Sequence, residues 1–288
     1  MSMSLWEEES PLHLDSDPSW DKQWAMGLVE LVYVSTRGDI AIAKEDRTLL
    51  RGDSQGVIYE PESHLYLGTM GETPIFGVMG DHPYLVPLRQ ALTHLHDGEV
   101  ALAMRAAALA QYHARNRYCS CCGEETITTD LGRTRTCQSC DEVHFPRTDP
   151  AIIVAVIDES DRLLLGHHID WELGRFSLLA GFLEVGESLE QAVVRELNEE
   201  VGVVVSQITY AGSQPWPTPR SLMVAFTAQA SGQEPIPDLQ EITHAQWFTR
   251  QDLRTEIESG TVTLPMPHSV AHRLITRWYG EPLPQALM

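Results

Sequence analysis

The stretch that decides the fold is GFLEVGESLEQAVVRELNEEVGV, Gly181–Val203. Ser188 stands where a helix N-cap would, and Gln191 three residues on completes a capping box in which each side chain serves the other's main-chain N–H. Gly202 is a natural C-terminal stop, because glycine adopts the left-handed conformation that ends helices. Between them Ala192, Val193 and Leu197 can face a core. The spacing predicts a helix carrying three carboxylates, Glu196, Glu199 and Glu200, related by i, i+3 and i+4 and so expected on one face. Two carboxylates about 4 Å apart repel by about 4 kcal/mol at an effective dielectric near 20. The chain already carries a formal net charge of −21, so this repulsion needs compensation. A solvated helix face would dilute an isolated pair. Here the helix follows the glycine-containing loop AGFLEVGE and holds one arginine, Arg195. Divalent cations with oxygen ligands are the better compensation.

The rest of the composition bounds what such a site could serve. With 288 residues the chain is long enough for two domains, and 43% hydrophobic content with mixed charge fits a folded, soluble protein. No apolar run reaches the ~18 residues that a membrane span needs, so no membrane role is expected. The start, MSMSLWEEES, lacks the basic and apolar parts of a signal peptide, which makes the cytoplasm the expected compartment. Acidic residues outnumber basic ones 41 to 20, which argues against general attraction to nucleic acid or anionic lipid. A phosphate-bearing partner would need a local device such as a bound cation.

Along the chain, residues 1 to about 86 read as strands and turns, with runs at Leu28–Val34, Asp39–Ala43 and Pro74–Met79. Pro87–Arg117 has leucines at roughly helical spacing and is expected to break near Asp97-Gly98. After Pro150 the pattern is strand (Ala151–Ile157), turn, strand (Leu163–Gly166), a short strand (Phe176–Leu179) and then the carboxylate helix. Strands at Val203–Ala211 and Leu222–Ala230 and helices near Gln251–Glu258 and His268–Trp278 complete an α/β domain. The expected parts are an N-terminal α+β domain (1–117), a cysteine module (118–146) and an α/β domain (147–288).

All five cysteines fall within Cys119–Cys140. Cys119-x-x-Cys122 and Cys137-x-x-Cys140 have close to the four-thiolate zinc spacing, with Cys121 left over. Four thiolates close a tetrahedron and leave no open position, so the expected zinc is structural. Disulfides are the alternative, disfavoured in a cytosolic chain. Only Arg133 and Arg135 are basic between the cysteine pairs, so a nucleic-acid role for this module is not favoured.

Gly181, Glu187, Arg195-Glu196-Leu197, Glu199-Glu200 and Gly202-Val203 together resemble the complete Nudix box, GX5EX7REUXEEXGU, with every fixed position filled. Downstream, SQPWPTPRS (Ser213–Ser221) resembles the SQPWPFPxS signature of the NADH pyrophosphatase subfamily. Alone it would read as a proline-rich surface loop around a core Trp; beside the box it reads as a stiff, pre-organised wall. The zinc module and the extra N-terminal domain extend the resemblance over nearly the whole chain. The resemblance implies an α/β/α sandwich and Mg²⁺- or Mn²⁺-dependent hydrolysis of the diphosphate of NADH or NAD⁺ to NMN(H) and AMP. It also implies removal of NAD caps from RNA, and a homodimer.

Residue by residue, the resemblance makes Glu196 and Glu200 the main metal ligands and Glu199 a further acid, for metal or for activating water. Ala180 matches a backbone-carbonyl ligand and Glu241 a downstream acidic ligand. Phe182 matches an aromatic that stacks on nicotinamide. Gln214, Pro215, Trp216, Pro217, Thr218, Pro219, Arg220 and Ser221 match the substrate-recognition segment, and Ala271 a substrate-contacting alanine. Gly181, Glu187, Arg195 and Gly202 are structural positions of the box. Two positions depart from the pattern: Thr218 replaces a usual Phe, and Phe145, a candidate substrate contact, replaces a usual Tyr. Other Nudix substrates (ADP-ribose, diadenosine polyphosphates) and a non-catalytic NAD-ligand sensor are the competing readings. The intact glutamates weigh against the sensor.

Overall fold

The computed structural model describes residues 12–14, 19–43 and 47–284. The acidic opening stretch read above lies outside them. The chain divides into two compact units: one holds Glu8–Thr148 with Pro217–Arg220, the other Asp149–Trp216 and Ser221–Met288.

In the first unit an eight-stranded sheet runs in the order Leu12–His13, His64–Met70, Thr73–Met79, Glu30–Val34, Ile40–Ala43, Thr48–Leu49, with Arg51–Asp53 and Leu85–Val86 added at its sides. The aromatic and aliphatic residues Trp24, Val29, Leu31, Tyr66 and Phe76 pack as one core cluster. The helical region is two helices, Leu88–Leu92 and Asp97–Arg115. The break therefore falls just before Asp97-Gly98, and these residues open the second helix. Thr126–Thr129, Thr134–Cys137 and Val143–His144 form a separate three-stranded sheet. Arg135 is buried in it, donating to Thr126 and Thr128 and pairing with Glu62 at 3.1 Å.

The second unit is an α/β/α sandwich. Its sheet runs Val205–Trp216, Ser221–Ala230, Asp149–Asp158, Leu163–His168, Ile242–Phe248, and Leu179–Phe182 also pairs with Asp149–Asp158. The central strand alternates with the period of two that a sheet imposes. Ile153 and Ala155 join the core beneath helices Arg250–Glu258 and Val270–Tyr279. Ile152, Val154 and Val156 join the opposite core beneath helix Leu189–Val201. Covering both faces explains the nearly continuous apolar run AIIVAVI, Ala151–Ile157.

Three readings change. The short strand predicted at Phe176–Leu179 lies instead at Leu179–Phe182, because residues 179–182 form the ladder with Ala151–Val154. Before Leu179 the predicted run forms one isolated antiparallel bridge, Ser177 with Gly166, while Phe176 and Leu178 are buried by packing. Strands His64–Met70 and Ile242–Phe248 were not anticipated, and the strand expected at Val203–Ala211 is Val205–Trp216, reaching into the proline segment. Among the described residues no helix is long and apolar enough to cross a membrane.

Candidate active site

Helix Leu189–Val201 has the predicted ends. Ser188 accepts from the Gln191 N–H at 3.2 Å and its own N–H donates to Gln191 Oε1 at 2.8 Å. Gly202 closes the helix at φ 66°. The buried side carries Ala192, Val193, Leu197 and Val201, and with them Glu196 and Glu200.

The three carboxylates do not share one face equally. Glu196 and Glu200 are buried at 9% and 5% exposure, whereas the Glu199 side chain is 59% exposed. Adjacent helix positions differ by roughly 100° around the axis, so Glu199 and Glu200 diverge even though each neighbours Glu196.

Arg195 ties the box together. It binds both Glu187 oxygens, at 2.8 and 2.9 Å, and donates to Glu196 and Glu199 at 2.9 and 3.0 Å. It also donates to the Phe182 carbonyl at 2.9 Å, so it fixes the loop leading into the helix. The Arg195 fork and the Glu184 N–H hold the Glu187 carboxyl below the usual range. Gly181 lies in the strand paired with Ile152, and any Cβ there would fall on the Glu196 carboxylate. Glycine leaves the Glu196 carboxylate its present place; a larger residue would push that flexible side-chain end aside.

Burial pushes the Glu196 carboxyl up, against Arg195, with Glu199 and Glu241 adding to the rise. Glu200 goes further, to about 8, chiefly through burial and then through Glu196, Glu241, Asp238 and Glu199. Glu200 Oε2 is buried and has no hydrogen-bond partner. An orphaned, buried carboxylate oxygen among other acids suits a hard cation, which takes oxygen ligands and neutralises the group. The donor set therefore fits a hard divalent cation.

Ala180, in the same strand as Gly181, is exposed, as is Phe182 at 54%. Glu241 follows a turn in which the N–H groups of Gln240, Glu241 and Ile242 all point at the Asp238 carboxylate. The sequence reading missed Asp238; Pro237-Asp238 was its turn signal.

The proline segment divides. Gln214 is 3% exposed and spends its amide on main chain: Oε1 accepts from Val270 N–H and Nε2 donates to the His268 carbonyl, both at 2.7 Å. It anchors the start of helix Val270–Tyr279, where Ala271 is part of the core. Pro215 is exposed, Trp216 half-buried, and Ser221 is buried at the start of its strand. Pro217, Thr218, Pro219 and Arg220 group with the first unit, where Gln111 donates to the Pro217 carbonyl at 3.0 Å. Thr218 Oγ1 is buried without a partner. Phe145, in the first unit, is 57% exposed.

The Sγ atoms of Cys119, Cys122, Cys137 and Cys140 lie within 4.8 Å of one another, the only group of three or more ligating side chains drawn so close among the described residues. Cys121 stands outside it. Two of the sulfur pairs are 3.7 and 3.5 Å apart. Tetrahedral Zn–S bonds of ~2.3 Å place sulfurs about 3.8 Å apart, so the cluster fits zinc. The N–H groups of Cys122 and Cys121 help lower Cys119 to about 6. Cys140, although favoured as a thiolate by the Glu142 N–H, is pushed up to about 12 by the sulfurs of Cys122 and Cys137. Four thiolates this close need a cation among them.

A family model described as NUDIX domain matches residues 147–272. The chain is 42% identical over 197 residues to the NAD-capped RNA hydrolase NudC of Deinococcus radiodurans, covering 65% of this chain and 70% of that one. It is 36% identical over 211 residues to the protein of the same name from Escherichia coli O157:H7, covering 73% and 79%. Against the NAD-capped RNA hydrolase NUDT12 of Macaca fascicularis it is 37% identical over 207 residues, 68% of this chain and 45% of that one.

Proposed function

The chain belongs to the Nudix family, in the branch of the NudC-type hydrolases, and on that footing we propose that it hydrolyses the diphosphate of NADH or NAD⁺ to AMP and NMN(H) and removes NAD caps from RNA. The observation that carries this reading is the buried Glu196–Glu200 pair with the orphaned Glu200 Oε2, set in a chain that also holds the SQPW segment. Glu196 and Glu200 would hold Mg²⁺ or Mn²⁺, assisted by Glu199, Glu241 and the Ala180 carbonyl. Bound there, the cations neutralise the diphosphate and lower the pKa of water.

The chain's own groups do the rest. Gly181 leaves room for the Glu196 carboxylate, and Arg195 orients it. Glu199 or Glu200 accepts a proton from the attacking water, whose oxygen bonds to one phosphorus while the P–O–P bridge breaks and its oxygen leaves with the other product. Phe182 offers an exposed ring for stacking on nicotinamide. Gln214 serves by holding the start of helix Val270–Tyr279 in place. Trp216 offers a half-buried ring beside the exposed Pro215 as a wall of the substrate path.

The four cysteines hold zinc as a structural staple. The functional parts are 1–117, 118–146 and 147–288, and the protein acts in the cytoplasm as a homodimer. We expect metal analysis after dialysis against a mild chelator to find about one zinc per chain, lost on Cys137→Ser. Zinc retained by that variant would remove the assignment.

The substrate reading is tested by comparing kcat/KM for NADH, NAD⁺, ADP-ribose and NAD-capped RNA. The nicotinamide substrates should be preferred to ADP-ribose. Cleavage of ADP-ribose alone would keep the chemistry and discard the nicotinamide specificity.

A further inference from the structure

Glu241 stands on a loop, and a loop must be held if its carboxylate is to bind a cation. The segment Ile236–Ile242 is anchored twice to the carboxylate helix. Ile236 N–H donates to the Val201 carbonyl at 2.8 Å and Asp238 N–H to the Glu200 carbonyl at 3.0 Å. These are last-turn carbonyls, which the helix itself leaves without partners. The loop thus rides on the same turn that carries Glu200.

Its far side is closed by one side chain. Asp238 Oδ1 accepts from Gln240 N–H at 3.1 Å, Glu241 N–H at 3.1 Å and Ile242 N–H at 2.9 Å. Leu239 takes φ 62° inside this turn, and its N–H returns to the Ile242 carbonyl at 3.0 Å. On the other side the Glu241 carbonyl accepts from Ile169 N–H at 2.9 Å. The main chain of Glu241 is therefore fixed at both its N–H and its carbonyl. Its charge is felt at both Glu196 and Glu200, so its side chain stands in their field.

We propose that Asp238 is a positioning residue for the catalytic cations: its carboxylate gathers three main-chain N–H groups and so aims Glu241 at the metal site beside Glu200. It acts through hydrogen-bond geometry and touches neither substrate nor metal. A charge placed merely to attract cations would not need three N–H groups on one oxygen. The inference rests on the reading of Glu241 as a metal ligand.

The test is Mn²⁺ binding to the full chain, read from the EPR signal of free Mn²⁺, with melting curves to establish folding. Asp238→Ala should weaken binding about 10-fold, as loss of an orienting partner does. Asp238→Asn keeps Oδ1 as an acceptor but gives up a negative charge and the longer contact of Oδ2 with Glu241 N–H at 3.3 Å, so it should lose clearly less than Asp238→Ala. Added to Glu241→Gln, Asp238→Ala should cause no further loss, because the two act as one unit. Wild-type affinity in Asp238→Ala, losses that multiply in the double variant, or Asp238→Asn as weak as Asp238→Ala would each overturn the proposal. Glu200→Gln separates the two levels. If it loses Mn²⁺ while Asp238→Ala does not, the site stands and only the role of Asp238 fails. If it keeps Mn²⁺, the metal site itself is misplaced and the role of Asp238 falls with it.

Discussion

Glu200→Gln should cut metal-dependent turnover by ~100-fold or more, and should make the metal-free protein more stable in alkaline solution. The two effects share one cause. Burial, with Glu196, Glu241, Asp238 and Glu199 around it, lifts the Glu200 carboxyl from an ordinary 4.5 to about 8. A folded-state value above the unfolded one favours the protonated form in the fold. The contribution to stability is therefore complete below about pH 4.5. It is lost progressively as pH rises, and is gone above about pH 8. The loss is roughly a few kcal/mol, a large share of a domain's stability. Gln mimics the neutral acid and does not titrate, so the variant's stability should be flatter across this range. Saturating Mn²⁺ should restore the wild type at pH 8–9 by binding only the folded state, and should leave the variant unmoved. Melting temperatures of both proteins from pH 5 to 9, with and without Mn²⁺, measure this. A wild-type profile that matches the variant at every pH would contradict the buried, metal-seeking carboxylate.

Gly181→Ala should be nearly as damaging to activity, although it removes nothing. The added methyl would occupy the place of the Glu196 carboxylate. Strand Leu179–Phe182 is fixed by its ladder with Ala151–Val154, so the glutamate must give way. It would leave its 2.9 Å bond to Arg195 and its place beside Glu200. The group displaced is the end of a flexible side chain, so the effect falls on site geometry more than on stability. We expect activity to fall by ~100-fold, as for other losses of site geometry. Added to Glu196→Ala, Gly181→Ala should cause no further loss, because the carboxylate it displaces is already gone. Full activity in Gly181→Ala would show that the carboxylate does not need the space the glycine leaves.

What the sequence could and could not disclose follows from the range of the interactions. The ends of helix Leu189–Val201 were legible because a capping box and a left-handed glycine are local devices. The cysteine cluster was legible because two CxxC turns set sulfur positions locally. The sharing of one face was only partly legible. Helical spacing gives direction, but not which directions the sheet covers, and it left Glu199 in solvent while burying Glu196 and Glu200. Residues 176–182 were read in the wrong register because both Phe176–Leu179 and Leu179–Phe182 are apolar enough, and pairing with the central strand decided between them. Strand Ile242–Phe248 interrupts its apolar residues with Thr243, His244 and Gln246, and pairing with Leu163–His168 makes it a strand. Gln214 was invisible as a clasp because its partners are main-chain groups far along the chain, whereas Asp238 had a local turn signal in Pro237-Asp238 that went unread.

The most direct measurement is a product assay on chelated protein with NADH, before and after adding back Mg²⁺ or Mn²⁺, beside Glu200→Gln. The account predicts AMP and NMNH in equal amounts, only with the cation and only from the wild type. Turnover that persists in chelator or in Glu200→Gln, or folded, metal-loaded protein that releases neither product, would contradict it.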